Sequence, residues 1–537
     1  MRLVWMLVSA LPLFAQGLDP HLLELPAIDA WPTYNGDYSG RRFSALSQIN
    51  ESSVKQLGLA WVFRAIAGNT PGTIIGGEGE EISSGQTQIK ATPLMVNGVL
   101  YFSTPDNAWA VDARSGREIW HYFWKTRGGI HIGNRGMGMY GNWLFFETPD
   151  NYLVSLDART GKERWHVEIA DVKEEYFSTP APIVVGNHVI AGTGGDSLDV
   201  PGFLESRDPE TGAVQWKWWS EPLKKGDPGS ETWPDENSMR HGGGMTWIPG
   251  TYDPQLRLYY IGTGNPNPVE TGKGREGDNL WTCSIVALNI DTGKMAWYYQ
   301  VSPHDTHDWD AAETPVLIDG EFRGKKRKLI AQASRNGYFF LLDRATGEHL
   351  LTSKMIETLN WSKGLNAKGQ PIGDPAKEST VDGVLVSPES GGATNWPPPS
   401  FDPETGLFYV GTQESFSVFY LTDTDAHPEG YGAAERGAGS YGGTLRAIDY
   451  QTGKTVWSHH FPGGGGHAGI LTTAGKLLFT GDSASHLIAF DPANGKILWH
   501  AGLGANLNNG PETYLLDGQQ YVVVGAGDSL FAFTLAK

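Results

Sequence analysis

A nine-residue phrase recurs seven times in this chain of 537 residues: Asp, once Asn, then three residues, Gly, three more residues, and Trp, once Leu. The copies run Asp112–Gly116–Trp120, Asp157–Gly161–Trp165, Asp208–Gly212–Trp216, Asn289–Gly293–Trp297, Asp343–Gly347–Leu351, Asp449–Gly453–Trp457 and Asp491–Gly495–Trp499. A short apolar run such as AWAV, LVSL or LIAF precedes each. The phrase spells a strand, a tight turn and a second strand. Asp bonds backbone N–H groups in the turn, and Gly supplies a positive φ. One supersecondary unit repeated at domain-scale intervals, made of strands and no helix, closes into a β-propeller.

The shortest spacings, Asp112 to Asp157 and Asp449 to Asp491, give the length of a bare blade. Longer ones mark insertions at Glu221–His241, Asn265–Leu280, Thr352–Pro398 and Thr422–Gly443, where loops on a rigid ring carry function. The C-terminal stretch YVVVGAGDSLFAFTL supplies most of a blade, and the early segment QLGLAWVF, with Trp61, its missing outer strand. The expected architecture is all-β: an eight-bladed propeller over residues 17–537, closed by its N- and C-terminal strands near Trp61 and Phe531. The Trp residues of the phrase read as packing between blades.

Residues 1–16 carry one Arg and an apolar run that ends at Ala15, the pattern of a secretory signal peptide. No later stretch is long and apolar enough to span a bilayer. The expected location is therefore periplasmic or secreted, with no membrane span. The single Cys, Cys283, excludes an internal disulfide, a CxxC zinc site and a haem attachment motif. A net charge of −19 argues against nucleic acid as a partner.

Polar residues that converge on the axis of a ring are scattered in sequence. The densest group is SPHDTHDWDAAETP, Ser302 to Pro315. In extended backbone Asp308 and Asp310 face the same side, and two such carboxylates call for a cation with hard oxygen ligands. Asn265 offers an amide oxygen. Trp247, after three glycines, offers an open aromatic face. Gly194 and Gly195 bring backbone close to a ligand, with Asp196 beside them. Arg135 and Arg335 each precede a turn and suit an anionic or quinone oxygen.

These motifs together resemble the pyrroloquinoline-quinone (PQQ) dependent dehydrogenases, the quinoprotein alcohol and sugar dehydrogenases. GGGxxW, GTGNP, PHDxxD and RNG occur in that family's order, and the resemblance runs from WPTYNGDYSGRRFSALSQI to the end. It implies an eight-bladed fold with tryptophan docking, and PQQ with Ca²⁺ or a lanthanide. Asp308 is implied as catalytic base and metal ligand. Arg335 is placed beside the quinone oxygens, and Trp247 as the floor beneath the ring. Arg135, Thr179, Gly194, Gly195, Asp196 and Gln413 are implied as cofactor contacts. Asn265, Asp310 and Asp196 join Asp308 as metal ligands, with Asp310 the added carboxylate of lanthanide-using members. The sequence departs from the family in lacking a vicinal Cys pair, and at Lys90, Ser197, Gln413 and His467.

The implied activity is oxidation of an alcohol or sugar hydroxyl by base-assisted hydride transfer to metal-bound PQQ. With no haem motif, electrons pass to a separate acceptor such as a cytochrome c. The alternative is a non-catalytic, quinone-binding or protein-binding propeller scaffold.

Overall fold

Every Gly of the repeated phrase is required twice over. The computed structural model describes residues 17–80, 88–194, 199–461 and 468–536; the expected signal peptide, 1–16, lies outside them. All seven glycines have φ between 65° and 74°. A Cβ there would also strike the neighbouring sheet: 2.7 Å from the Trp61 ring at Gly116, 2.7 Å from Trp120 at Gly161 and 2.6 Å from Trp216 at Gly293. The Trp of one sheet thus lies flat on the turn of the next. Indole N–H groups donate to carbonyls there, Trp120 to Ala158 at 2.9 Å and Trp216 to Ile290 at 2.7 Å, whereas the Trp165 N–H is buried without a partner. Within the turn, Asp112 Oδ1 accepts the N–H groups of Arg114 and Ser115 at 3.1 and 3.0 Å. At the Leu variant, Gly453 meets Leu351 and Ser353, so that dock has no indole to donate.

Among the described residues eight sheets carry the same four-stranded antiparallel meander, as expected for eight blades. Seven are continuous in sequence. The eighth joins Glu512–Leu516, Gln519–Ala526 and Ser529–Leu535 to the outer strand Leu57–Arg64, with Trp61 opposite Ala532 and Val62 opposite Phe531. Trp61 then docks on Gly116 while Trp499 packs edge-on against Phe533 at 5.4 Å, which closes the ring. The core lies between sheets and is dominated by apolar side chains from facing blades. The interval Thr422–Gly443, expected as an inserted loop, is irregular over 422–432 and strand over 433–443. Leu407–Leu421 and Ala433–Asp449 pair over their whole length, and the part of Leu407–Leu421 beyond the blade also pairs with Val384–Val386. The insertion at 221–241 holds a short α-helix, Glu236–His241.

The segment from Leu18 to Arg42 touches the innermost strand, or the turn that ends it, of all eight sheets. Leu18 N–H donates to Gly141, Trp31 pairs with Met95, and the Tyr38 hydroxyl donates to Val184. The amides of Tyr252, Leu317, Phe401, Thr472 and Leu515 donate to Tyr38, Ser39, Arg41, Arg42 and Ile28. Fully buried Arg42 adds bonds to the carbonyls of Tyr34, Ile470 and Pro511.

Candidate active site

One repeat position builds most of the site. Lys90, Thr179, Trp247, Trp396 and Asn508 each stand four residues before an innermost strand, the strands being Leu94–Val96, Ile183–Val185, Thr251–Asp253, Ser400–Asp402 and Glu512–Leu516. Arg135 stands three before Gly138–Tyr140. These residues come from different blades and meet at one end of the axis. The spacing was open to sequence reading, yet Trp396 and Asn508 were not singled out.

Trp247 is the centre of the group. It is 8 % exposed, and the guanidinium carbons of Arg135 and Arg335 lie 4.5 and 5.4 Å from its ring centroid. Arg135 also lies over Trp396 at 5.2 Å. Arg135 meets Thr179 through that residue's main-chain carbonyl, at 3.0 Å from its own N–H and 3.3 Å from its guanidinium. The Trp247 indole donates to Asp310 Oδ2 at 2.8 Å, and Asp310 Oδ1 accepts the Asn265 N–H at 2.6 Å. The Asn265 carboxamide donates to the carbonyl of Pro266.

Arg335 bridges the two carboxylates. One guanidinium nitrogen lies 3.1 Å from Asp308 Oδ1 and 3.7 Å from Asp310 Oδ2, and donates to the Asp308 carbonyl at 2.7 Å. Asp310 is fully buried, whereas the Asp308 side chain is 13 % exposed. Gly392, at φ 82°, lets a neighbouring chain run against Arg335; a Cβ there would sit 2.6 Å from the arginine's own. Glu313, three residues beyond Asp310, is driven well above the usual carboxylate range by burial.

Lys90, Glu389, Asn395, Trp396 and Gln413 line a cleft of about 340 Å³, within the range of small-molecule sites. Burial, with Arg135 nearby, lowers the Lys90 pKa. Gln413 Oε1 is buried without a hydrogen-bond partner, while its Nε2 donates to Ser440. Gly194 packs on Phe177, its N–H donating to that residue's carbonyl at 2.7 Å. Gly195, Asp196, Ser197 and His467 lie outside the described residues.

Two indoles and the cations of Arg135, Arg335 and Lys90 suit a planar, multiply anionic ligand, and the unpartnered Gln413 oxygen is open to accept a hydrogen bond from it. The residues therefore fit PQQ. The oxygens of Asp308, Asp310 and Asn265 are hard donors of the kind Ca²⁺ or a lanthanide takes. Among the described residues no three carboxylate, imidazole or thiol groups are grouped to hold an ion. Of the expected set, Asn265, Asp308 and Asp310 are among the described residues and Asp196 is not.

Fold and site together define a β-propeller with a candidate cofactor site at one end of its axis. Residues 31–360, more than half of the chain, match the family model described as PQQ glucose/ethanol/alcohol dehydrogenase, β-propeller domain. Residues 441–537 match a second model, that of outer membrane protein assembly factor BamB. The chain is 35 % identical to quinoprotein alcohol dehydrogenase PedH of Pseudomonas putida, over 91 % of this chain and 84 % of that protein. It is 33 % identical to a lanthanide-dependent methanol dehydrogenase of Methylacidiphilum fumariolicum, over 93 % and 84 %. The structure of quinohemoprotein alcohol dehydrogenase from Comamonas testosteroni superposes with a TM-score of 0.85 at 31 % identity, covering 96 % of this chain and 82 % of that one. That of a europium-containing methanol dehydrogenase gives 0.83 at 30 % identity, covering 96 % and 99 %. The chain belongs to the PQQ-dependent quinoprotein alcohol dehydrogenase family, and is an oxidoreductase of that class. The non-catalytic scaffold alternative finds no support in these likenesses.

Proposed function

We propose that this protein oxidises a small alcohol, with Asp308 as the base, Arg335 and Trp247 as cofactor contacts, and Asp308, Asp310 and Asn265 as ion ligands. The observation that carries the reading is the bridge from Arg335 to Asp308 and Asp310 beside the Trp247 ring. PQQ, when bound with its ion, supplies the two-electron acceptor and the Lewis acid. The protein's residues supply position and proton handling. A guanidinium at 3.1 Å favours the ionised Asp308 carboxylate, the form that takes a hydroxyl proton. Its partial exposure leaves it open to substrate, while buried Asp310 also holds Trp247 and the Asn265 backbone.

The lone Cys excludes covalent haem attachment to this chain by a C-x-x-C-H motif, which supports a separate acceptor such as a cytochrome c. The signal-like N-terminus supports export to the periplasm. No helix among the described residues is long and apolar enough to cross a membrane. A dye-linked assay of protein reconstituted with PQQ and either Ca²⁺ or La³⁺, over a panel of alcohols and sugars, tests the reading. Turnover of alcohols supports it; no turnover of any substrate with either ion overturns it.

A further inference from the structure

Asp308 stands at φ 66°, a left-handed conformation that costs a non-glycine residue about 1–3 kcal/mol unless its surroundings impose it. The surroundings here are specific. The Asp305 carboxylate accepts, through one oxygen, the backbone N–H of Trp309 at 3.0 Å and of His307 at 3.4 Å. These amides flank Asp308 on either side. The flanking side chains are anchored in turn. The His307 ring stacks on the Trp309 indole, with centroids 4.4 Å apart and planes 14° from parallel. His307 Nε2 donates to the Lys377 carbonyl at 2.8 Å, and Trp309 Nε1 to the Glu389 carbonyl at 3.0 Å. Asp305 is 4 % exposed, and its own carbonyl accepts a bond from fully buried Arg275.

We propose that Asp305 is a positioning residue for the reaction: its carboxylate clamps the backbone on both sides of Asp308 and so aims the Asp308 side chain at Arg335 and the substrate. The clamp explains why an aspartate adopts a conformation better suited to glycine. Both flanking rings, tied down at their far ends, hold the same stretch of backbone from the side-chain direction. The proposal rests on the reading of Asp308 as the base.

The test uses the full chain reconstituted with PQQ and its ion. Asp305→Ala and Asp305→Asn are compared with wild type for kcat, KM, bound quinone absorbance, and amide hydrogen exchange across residues 305–310. Misaiming a base by about an ångström costs about a hundredfold in rate. Asp305→Ala is therefore expected to lose kcat on that scale with KM and bound quinone little changed, and to exchange the His307 and Trp309 amides faster. Asp305→Asn, whose carboxamide oxygen accepts the same bonds, is expected to recover most of the loss. Wild-type kcat in Asp305→Ala, an Asn variant as slow as the Ala one, or activity lost only in step with bound quinone would each overturn the clamp. An active Asp308→Asn variant would instead overturn the base assignment, and the exchange rates would still decide whether Asp305 holds the loop.

Discussion

The indole N–H of Trp247 donates to Asp310 at 2.8 Å, so the residue expected as an added ion ligand also seats the ring proposed as the floor under the cofactor. Its other oxygen holds the backbone of Asn265, a second ion-ligand candidate. In the proposed site Asp310 thus couples floor and ion through one carboxylate.

This coupling makes Asp310→Ala more than a change of ion preference. A light lanthanide is expected to support wild-type activity at least as well as Ca²⁺, because repulsion between clustered carboxylates favours a trivalent ion. Asp310→Ala should reverse that order and also weaken PQQ binding. Trp247→Phe keeps an aromatic face but loses the hydrogen bond, and should weaken PQQ alone by about tenfold, the scale of a hydrogen bond to a charged group. Titrations followed by quinone absorbance, with each ion, separate the two effects. Equal response to Ca²⁺ in wild type and Asp310→Ala, with no response to a lanthanide in either, would remove Asp310 from the ion site.

Asp308→Asn should lower kcat by about 10²–10⁴-fold, the range of a lost general base, while PQQ stays bound. Activity within a few-fold of wild type would assign the proton to another group.

The double demand on the docking glycines predicts unequal costs for the same substitution. At Gly518 (φ 77°) nothing lies within 4 Å of an added Cβ, so Gly518→Ala should lose only the backbone term of about 1–2 kcal/mol. At Gly161 (φ 69°) the Cβ would stand 2.7 Å from the Trp120 ring, which adds about 1–3 kcal/mol of overpacking. Urea unfolding of the two variants measures the difference. Equal midpoints would mean that the dock yields freely.

His121 gives stability a defined pH dependence. Burial against Trp109, with its Nε2 bonded to Asn107, lowers its pKa from 6.5 to about 4. Between those values the unfolded chain binds the proton and the folded one does not. Stability from this group is full above pH 6.5 and falls as pH drops towards 4, by about 3 kcal/mol in all. His121→Phe should flatten that part of the denaturant-midpoint profile, whatever its effect at neutral pH. A parallel profile would refute the assignment.

The blades were legible in sequence because each phrase is local: Asp, Gly and Trp act within nine residues and on the adjacent turn. Their meeting around the axis, and hence the convergence of Trp247, Arg135, Arg335 and Asp308, followed from the closure of the ring. Trp396 escaped notice because WPPP reads as an irregular loop until it is aligned with the four-residue approach to Thr251 and Ile183. The extension of these two strands into 433–443 escaped because its glycines read as a loop, whereas cross-strand pairing holds them extended. The Asp305 clamp escaped because a left-handed aspartate has no signature in residue order.

The strap from Leu18 to Arg42 bonds partners as distant as Leu515, so its contacts are among the most non-local in the chain. Such contacts form late, since loop closure must precede them. The strap is therefore the part that finds its place last, after all eight sheets exist to receive it. Until then the ring lacks its cross-bracing, so refolding should pass through a species with docked tryptophans and an unprotected Tyr252, Leu317 and Phe401 amide set.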